Sequence, residues 1–470
     1  MTVPNVLATR YASPEMGEIW SETRKAESQR RLWLAVMEAQ RKLGVDIPET
    51  AIEAYRGAVD RVDLAAILER ERVLRHDVKA ALEEFNSVAG YEYAHLGMTS
   101  RDVTENVEQW QILNSLRLVR DRVVAALSRL GALATTYDGV AVTARTHNIP
   151  AQLTSLGKRF AMFGEELVLA FHNLEALLAS YPLRGIKGPV GTQQDQLALL
   201  VSAEKVAELE RMVAGHLGFE AVLGAVGQVY PRSLDFRVVS VLAETASAPM
   251  NLTNTLRLMA GHELASEGFA ANQVGSSAMP HKMNARSSER VHGLGVVLRG
   301  HVTMASSLVG EQWNEGDVSC SVVRRVVLPD SFFAIDGLFQ TFLTVLDEIG
   351  FASEIIASEV TDQLPYLATT ALLVDAVKRG MGREHAHEII RKHTVAALEA
   401  HRGGEKSDVV ASLGGDNAFP LSSQDIEKIL ANPLTFTGLA DRQVEEFVAT
   451  VGEIVKAHPQ AGSYTPGEIL

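Results

Sequence analysis

The sequence predicts an all-α protein built around a long central helical bundle. Three observations carry this. Aromatic residues make up only 6% of the chain while alanine and leucine abound, a balance that favours packed helices over β-sandwich construction. Apolar residues recur every three or four positions, most clearly at Leu113, Leu116, Val119, Val123, Leu127, Leu130 and Ala134. Convincing alternation of apolar and polar residues is rare; the apolar, glycine-rich stretch 221–228 is the ambiguous one. A length of 470 residues suits about three domains. The expected division is a helical N-terminal domain over 1–100, a three-domain fold's central bundle over 101–352, and a helical C-terminal domain over 353–470.

Taken in chain order, Arg75-His76-Asp77 falls within a helical pattern. Adjacent residues on a helix do not face each other, so His76 reads as polar surface or as the partner of a group across an interface. From His95 to Asp102 a glycine-containing loop runs into a helix that Thr99 or Ser100 caps, with Glu105 as capping-box partner. A helix N-terminus also seats a carboxylate or phosphate. Arg145-Thr146-His147 lies in a short loop before Pro150. A loop histidine titrates near working pH, so His147 suits a general acid, or else caps the next helix. The glycine-rich, basic loop 181–193 lacks the Gly-Lys-Ser/Thr ending and the preceding strand of a phosphate loop. Gly293 and Gly295 lie inside a helical run, so they form no dinucleotide fingerprint. His262-Glu263 lacks the second histidine of a zinc helix. Neither a metal nor a redox cofactor is expected. The runs 235–270 and 286–310 read as long helices interrupted only by Pro249.

The stretch 275–285 carries the most chemistry: Gly275, Ser276, Ser277, Ala278, Met279, Pro280, His281, Lys282, Met283, Asn284, Ala285. Gly275 and Pro280 mark a loop, which can lay N–H groups, a cation and a hydroxyl around one small anion. A helix is expected to begin after Pro280, placing Lys282, Arg286 and Arg290 on one face. The chemistry this suggests is proton abstraction beside a carboxylate. Serine is a very weak base, so it needs Lys282 or aligned N–H dipoles to stabilise its alkoxide. Either serine of the pair fits.

The net charge of −14 argues against general nucleic-acid or membrane-surface binding. An anionic small-molecule substrate would then need locally concentrated cations, such as the 282–290 stripe and Arg324-Arg325. Cys320 is the sole cysteine, which precludes an intramolecular disulfide and fits a reducing compartment; such a residue is more often a small buried hydrophobe than a nucleophile. The N-terminal residues lack the pattern of a signal peptide, and no apolar run approaches the ~18 residues of a membrane span. A cytoplasmic, soluble protein is the expectation.

The 275–285 loop resembles the signature of the fumarase/aspartase superfamily, whose members cleave a C–N or C–O bond and release fumarate. Within it the chain is similar to the adenylosuccinate lyase family. The resemblance includes Arg10-Tyr11-Ala12-Ser13-Pro14-Glu15-Met16, Arg75-His76-Asp77, the His95–Ser100 stretch, Arg145-Thr146-His147 and Gly191-Thr192-Gln193. It continues through Ser288-Glu289-Arg290 and Gln312-Trp313-Asn314-Glu315 to Ser321 and Arg324-Arg325. The resemblance implies Ser276 as general base and His147 as general acid to the departing nitrogen, with Thr146 beside it at the substrate. It implies Lys282 and Asn284 on the succinyl carboxylates, and His76, flanked by Arg75 and Asp77, near the phosphate or the acid. Thr99, Ser100 and Gln193 would bind the succinyl and ribose-phosphate portions; Arg10, Tyr11, Arg290, Ser321 and Arg325 would bind the nucleotide. It further implies two substrates, adenylosuccinate and SAICAR, no cofactor, and a homotetramer whose active sites are each shared between three chains. The competing expectations are another fumarate-releasing lyase or cycloisomerase of the superfamily, and an inactive helical nucleotide-binding scaffold. Two positions depart from the pattern. Ala285 replaces a closing proline, and Gly316 stands where an arginine for the nucleotide phosphate is usual. Arg324 or a lysine from another loop is expected to supply that charge.

Overall fold

The structure, a computed structural model, describes residues 3–268, 278, 279, 281–405 and 407–467. Helices dominate it, and the described strands form two small two-stranded sheets, so the all-α expectation holds. The longest helix, Ser100–Thr136, runs for 37 residues. All seven positions named from the periodicity are buried along it. It starts at a capping box between Thr99 and Asp102, and the Thr99 N–H donates to the Asp102 carboxylate at 2.8 Å. Glu105 is therefore not the box partner: a box reaches three residues beyond the cap, which is Asp102.

The helices Leu156–Ser180 and Ser321–Glu348 pack along Ser100–Thr136, and Arg286–Ser306 packs along Ser321–Glu348. Ala440–Ala457 returns from the far end of the sequence to lie on Ser100–Thr136 and Leu156–Ser180. One apolar core consequently reaches from Met16 to Ala461. Each large side chain buried there contributes about 1.5–3 kcal/mol of transfer free energy. A separate small core around Leu372, Ile390 and Phe419 supports the region beyond residue 368. Ser321–Glu348 has the length and apolarity of a membrane span, but 83% of its most apolar window is packed inside the protein. Its Phe332, Phe339 and Phe342 are core residues.

Four local expectations are corrected. Residues 141–155 form a β-hairpin, Ala141–Thr146 paired antiparallel with Ile149–Ser155, rather than a loop. The helical pattern around residue 75 is broken. Arg75 closes Leu64–Leu74 in the left-handed conformation (φ 53°), and His76 caps Asp77–Ala89, its Nδ1 accepting from the Lys79 N–H at 3.3 Å. The run 235–270 divides into Ser233–Thr245, Ser247–Gly261 and the strand Ala265–Ser266. Pro249 is tolerated because it lies in a first turn, where its missing N–H costs no intrahelical bond. The helix after the 275–285 loop begins at Arg286, because the Glu267 carboxylate accepts from the N–H groups of Ser287 (2.9 Å) and Ser288 (3.0 Å) and fixes its start there. Lys282 precedes that helix and shares no helical face with Arg286 and Arg290. The stretch 221–228 contributes only a single bridge, Val222 to Leu183, and is otherwise irregular.

Candidate active site

The N-terminus of Ser100–Thr136 gathers the first group of candidate residues. Ser100 Oγ lies 3.3 Å from His76 Nε2. Asp77, next to His76, faces Arg325 at 3.7 Å. Arg101 donates to Ser321 Oγ at 3.2 Å, drawing the start of the Ser321–Glu348 helix onto the same spot. His76, Asp77, Ser100, Ser321 and Arg325 thus converge where unpaired helix N–H groups favour an anion.

Beneath this group lies a buried ionic layer that sequence reasoning missed. Glu105 accepts from Arg232 with both oxygens at 2.9 Å and also meets Arg101 at 3.1 Å and Arg324 at 3.3 Å. Burial alone would push the Glu105 carboxyl up, but Arg324, Arg232 and Arg101 together hold it below the usual range. Arg324 is 2% exposed and is also held by Asp235 and Glu108, each at 2.8 Å. It is spent on this layer, so the expectation that it meets a substrate phosphate is corrected. Gly316 has a structural reason of its own. Its φ of 145° is open to glycine, and an added Cβ would press on Val229 and Gln228 at 3.1–3.2 Å.

A second hub, Asp102, holds the loop that carries Gln193. The Asp102 carboxylate accepts from the N–H groups of Lys187 (2.8 Å) and Gly188 (3.0 Å) and from the Arg184 guanidinium (2.6 Å). Gln193 is turned into this loop, its Nε2 donating to the Ile186 carbonyl at 3.1 Å. The spacing of Thr99 and Asp102 was the available signal for this residue.

Other candidates are held by other elements. Arg10, Tyr11 and Arg290 line one cavity of about 450 Å³, with the Arg290 guanidinium 5.6 Å from the centre of the Tyr11 ring. Burial lowers the pKa of Arg290. Thr146 and His147 are exposed at the hairpin end, where His147 and Asn148 both have positive φ (53° and 64°), the signature of a two-residue mirror-image turn. The hairpin is braced by Arg145, which donates to Glu359 of the Ser353–Leu367 helix. No hydrogen bond or ion pair among the described residues joins His147 to the His76 group or to Arg10 and Arg290. Arg75 is exposed at its helix end, Lys282 is exposed, and Asn284 is half-buried. Ser276, and with it the choice between Ser276 and Ser277, lies outside the described residues. Among those described, no group of three or more His, Cys, Asp and Glu side chains is placed to hold a metal ion.

Comparison with known proteins gives a consistent result. Residues 9–300 match the model of a lyase family, and residues 365–447 match that of the adenylosuccinate lyase C-terminus. The chain is 33% identical to the adenylosuccinate lyase of Saccharomyces cerevisiae over 450 residues, covering 94% of this chain and 93% of that one. It is 32% identical to that of Schistosoma mansoni (95% and 94% covered) and 30% identical to that of Pyrococcus horikoshii (95% and 97%). In fold it resembles the 3-carboxy-cis,cis-muconate lactonizing enzyme of Pseudomonas putida, with TM-score 0.84, 18% identity, and 96% and 100% of the two chains covered. A fumarate lyase from Mesorhizobium is similar, with TM-score 0.80, 18% identity and 94% and 98% covered.

Proposed function

The chain belongs to the adenylosuccinate lyase family of the fumarase/aspartase superfamily, and from that premise we propose how its residues divide the reaction. As a lyase of this family it eliminates fumarate from adenylosuccinate and leaves AMP. Ser276 takes the proton from the succinyl carbon beside a carboxylate, and Lys282 and Asn284 hold the charge that develops there. His147 gives a proton to the departing nitrogen; such a positioned acid contributes about 10²–10⁴-fold. His76, Asp77, Thr99, Ser100, Ser321 and Arg325 form the anion-binding side, and Arg10, Tyr11 and Arg290 the nucleotide side, with Gln193, Arg75 and Thr146 completing the walls. The observation that carries this division is the meeting of His76, Ser100, Ser321 and Arg325 at the start of one long helix, over a buried ionic layer that keeps them in place.

Among the described residues no hydrogen bond or ion pair joins His147 to the His76 group or to Arg10 and Arg290, which supports a site completed by neighbouring copies. Exposed apolar side chains on the bundle helices, Met162, Leu169, Leu258, Val296 and Val322, support self-association, and we take the assembly to be a homotetramer. SAICAR carries the same succinylamino group and is the second substrate. Purified protein given adenylosuccinate or SAICAR should release fumarate in step with AMP or AICAR. Argininosuccinate, malate and aspartate should release none. Folded protein that turned over neither purine substrate would overturn the reading.

A further inference from the structure

The cavity holding Arg10, Tyr11 and Arg290 has a wall that the reaction above does not use, residues 464–467. Tyr464 is fixed from three directions. Its hydroxyl donates to Gln340 Oε1 at 3.0 Å, its ring lies 3.4 Å from the Arg122 guanidinium, and its carbonyl accepts from Arg129 at 3.0 Å. The Gly467 N–H reaches the same Gln340 oxygen at 3.2 Å. Gln340 and Arg122 meet at one oxygen of the buried Asp336, at 3.3 and 3.4 Å. The other oxygen of Asp336 accepts the backbone N–H of Ser13, two residues beyond Tyr11. At the neighbouring Gly337 an added Cβ would fall 2.7 Å from Tyr11 Cβ, so the helix backbone lies directly against that tyrosine. One buried carboxylate therefore ties residues 10–13 and residues 464–467 to the same turn of the Ser321–Glu348 helix.

The cavity so formed is lined by two arginines, Arg10 and Arg290, and two tyrosines, Tyr11 and Tyr464. Cations beside flat aromatic surfaces suit an aromatic anion. We propose that residues 464–467 are a wall of the nucleotide pocket, with Tyr464 a specificity-determining residue that packs on the nucleotide half of the substrate. This rests on the assignment of Arg10, Tyr11 and Arg290 to the nucleotide, made above.

The test compares the full chain with a variant ending at Ser463, with Thr465→Trp, which crowds the cavity from an exposed position, and with Arg290→Ala. AMP binding, fumarate inhibition, KM and kcat for adenylosuccinate are measured on the folded, assembled proteins. Both wall variants should weaken AMP binding and raise KM by about tenfold or more, with fumarate inhibition and kcat little changed. A merely structural wall would shift AMP and fumarate together. Should the shortened chain fail to fold, Thr465→Trp decides. Parental AMP affinity in it, or AMP and fumarate affinities moving in parallel, would overturn the proposal. Arg290→Ala with unaltered AMP binding would instead remove the premise that this cavity holds the nucleotide.

Discussion

His95 is kept neutral by its surroundings. Burial is the main influence lowering its pKa from the ordinary 6.5, and the nearby Lys79 adds to it against the opposing pull of Asp102. The Trp33 indole N–H donates to His95 Nδ1 at 3.0 Å, a bond that protonating that nitrogen would break. Because the folded-state pKa is depressed, the unfolded chain binds more protons between the folded value and about 6.5. Stability is then fully present above about pH 6.5 and declines as pH falls below it, by at most about 1.4 kcal/mol per pH unit. Urea unfolding across pH 5–7.5 should show a steeper loss on the acid side in the parent than in His95→Gln, and equal slopes would refute it. Arg324 makes the opposite kind of prediction. With its guanidinium buried among Glu105, Glu108 and Asp235, Arg324→Ala leaves carboxylates uncompensated and should cost about 3–5 kcal/mol of stability. A variant as stable as the parent that had lost only nucleotide affinity would put Arg324 back at the substrate. The sequence could not show that this arginine is enclosed, because its partners lie 89, 216 and 219 residues away.

Among elements, the hairpin Ala141–Ser155 links local backbone chemistry to the role proposed for His147. Its turn needs positive φ at both His147 and Asn148. Asparagine tolerates that region and glycine prefers it, whereas a β-branched residue there is strained. Asn148→Gly should leave kcat near the parent's. Asn148→Val should lower it markedly, because the turn that aims His147 would have to change; steady-state assay of both variants, with circular dichroism as a check of folding, decides it. Equal kcat in the two would mean that the turn does not position the acid. This hairpin was not legible in advance, since it lacks the Asn-Gly or Asp-Gly signal and its strands alternate only briefly. The break at Arg75 was hidden for a related reason: a non-glycine residue takes the left-handed conformation there, with no glycine or proline to mark the end of the helix. The long helices were legible because Leu113 to Ala134 repeat the same spacing over six turns' worth of chain, so many weak preferences agree. The start at Arg286 was missed because it is set by Glu267, a cap 19 residues upstream of it rather than a neighbour in sequence.

At the scale of the whole molecule, the resemblance in sequence identified the family, but among the described residues no hydrogen bond or ion pair joins His147 to the His76 group or to Arg10 and Arg290. Sequence motifs name residues without saying which copy of the chain supplies each one. If Ser276 and His147 of one site come from different copies, the variants Ser276→Ala and His147→Ala should each be inactive alone yet complement each other. In an equal mixture after full subunit exchange, a site is intact only when one copy brings an unaltered Ser276 and another an unaltered His147. Random assembly makes each true half of the time, so about a quarter of parental activity should return. If both residues came from a single copy, every site would carry one lesion or the other and no activity would return. The measurement is fumarate release after dissociation and reassembly of the mixture, with mass-tagged chains confirming exchange. Recovery that rises toward a quarter as exchange proceeds would place the acid and the base on different copies. Complete exchange without recovery would require His147 to reach its own chain's site through a rearrangement of the hairpin.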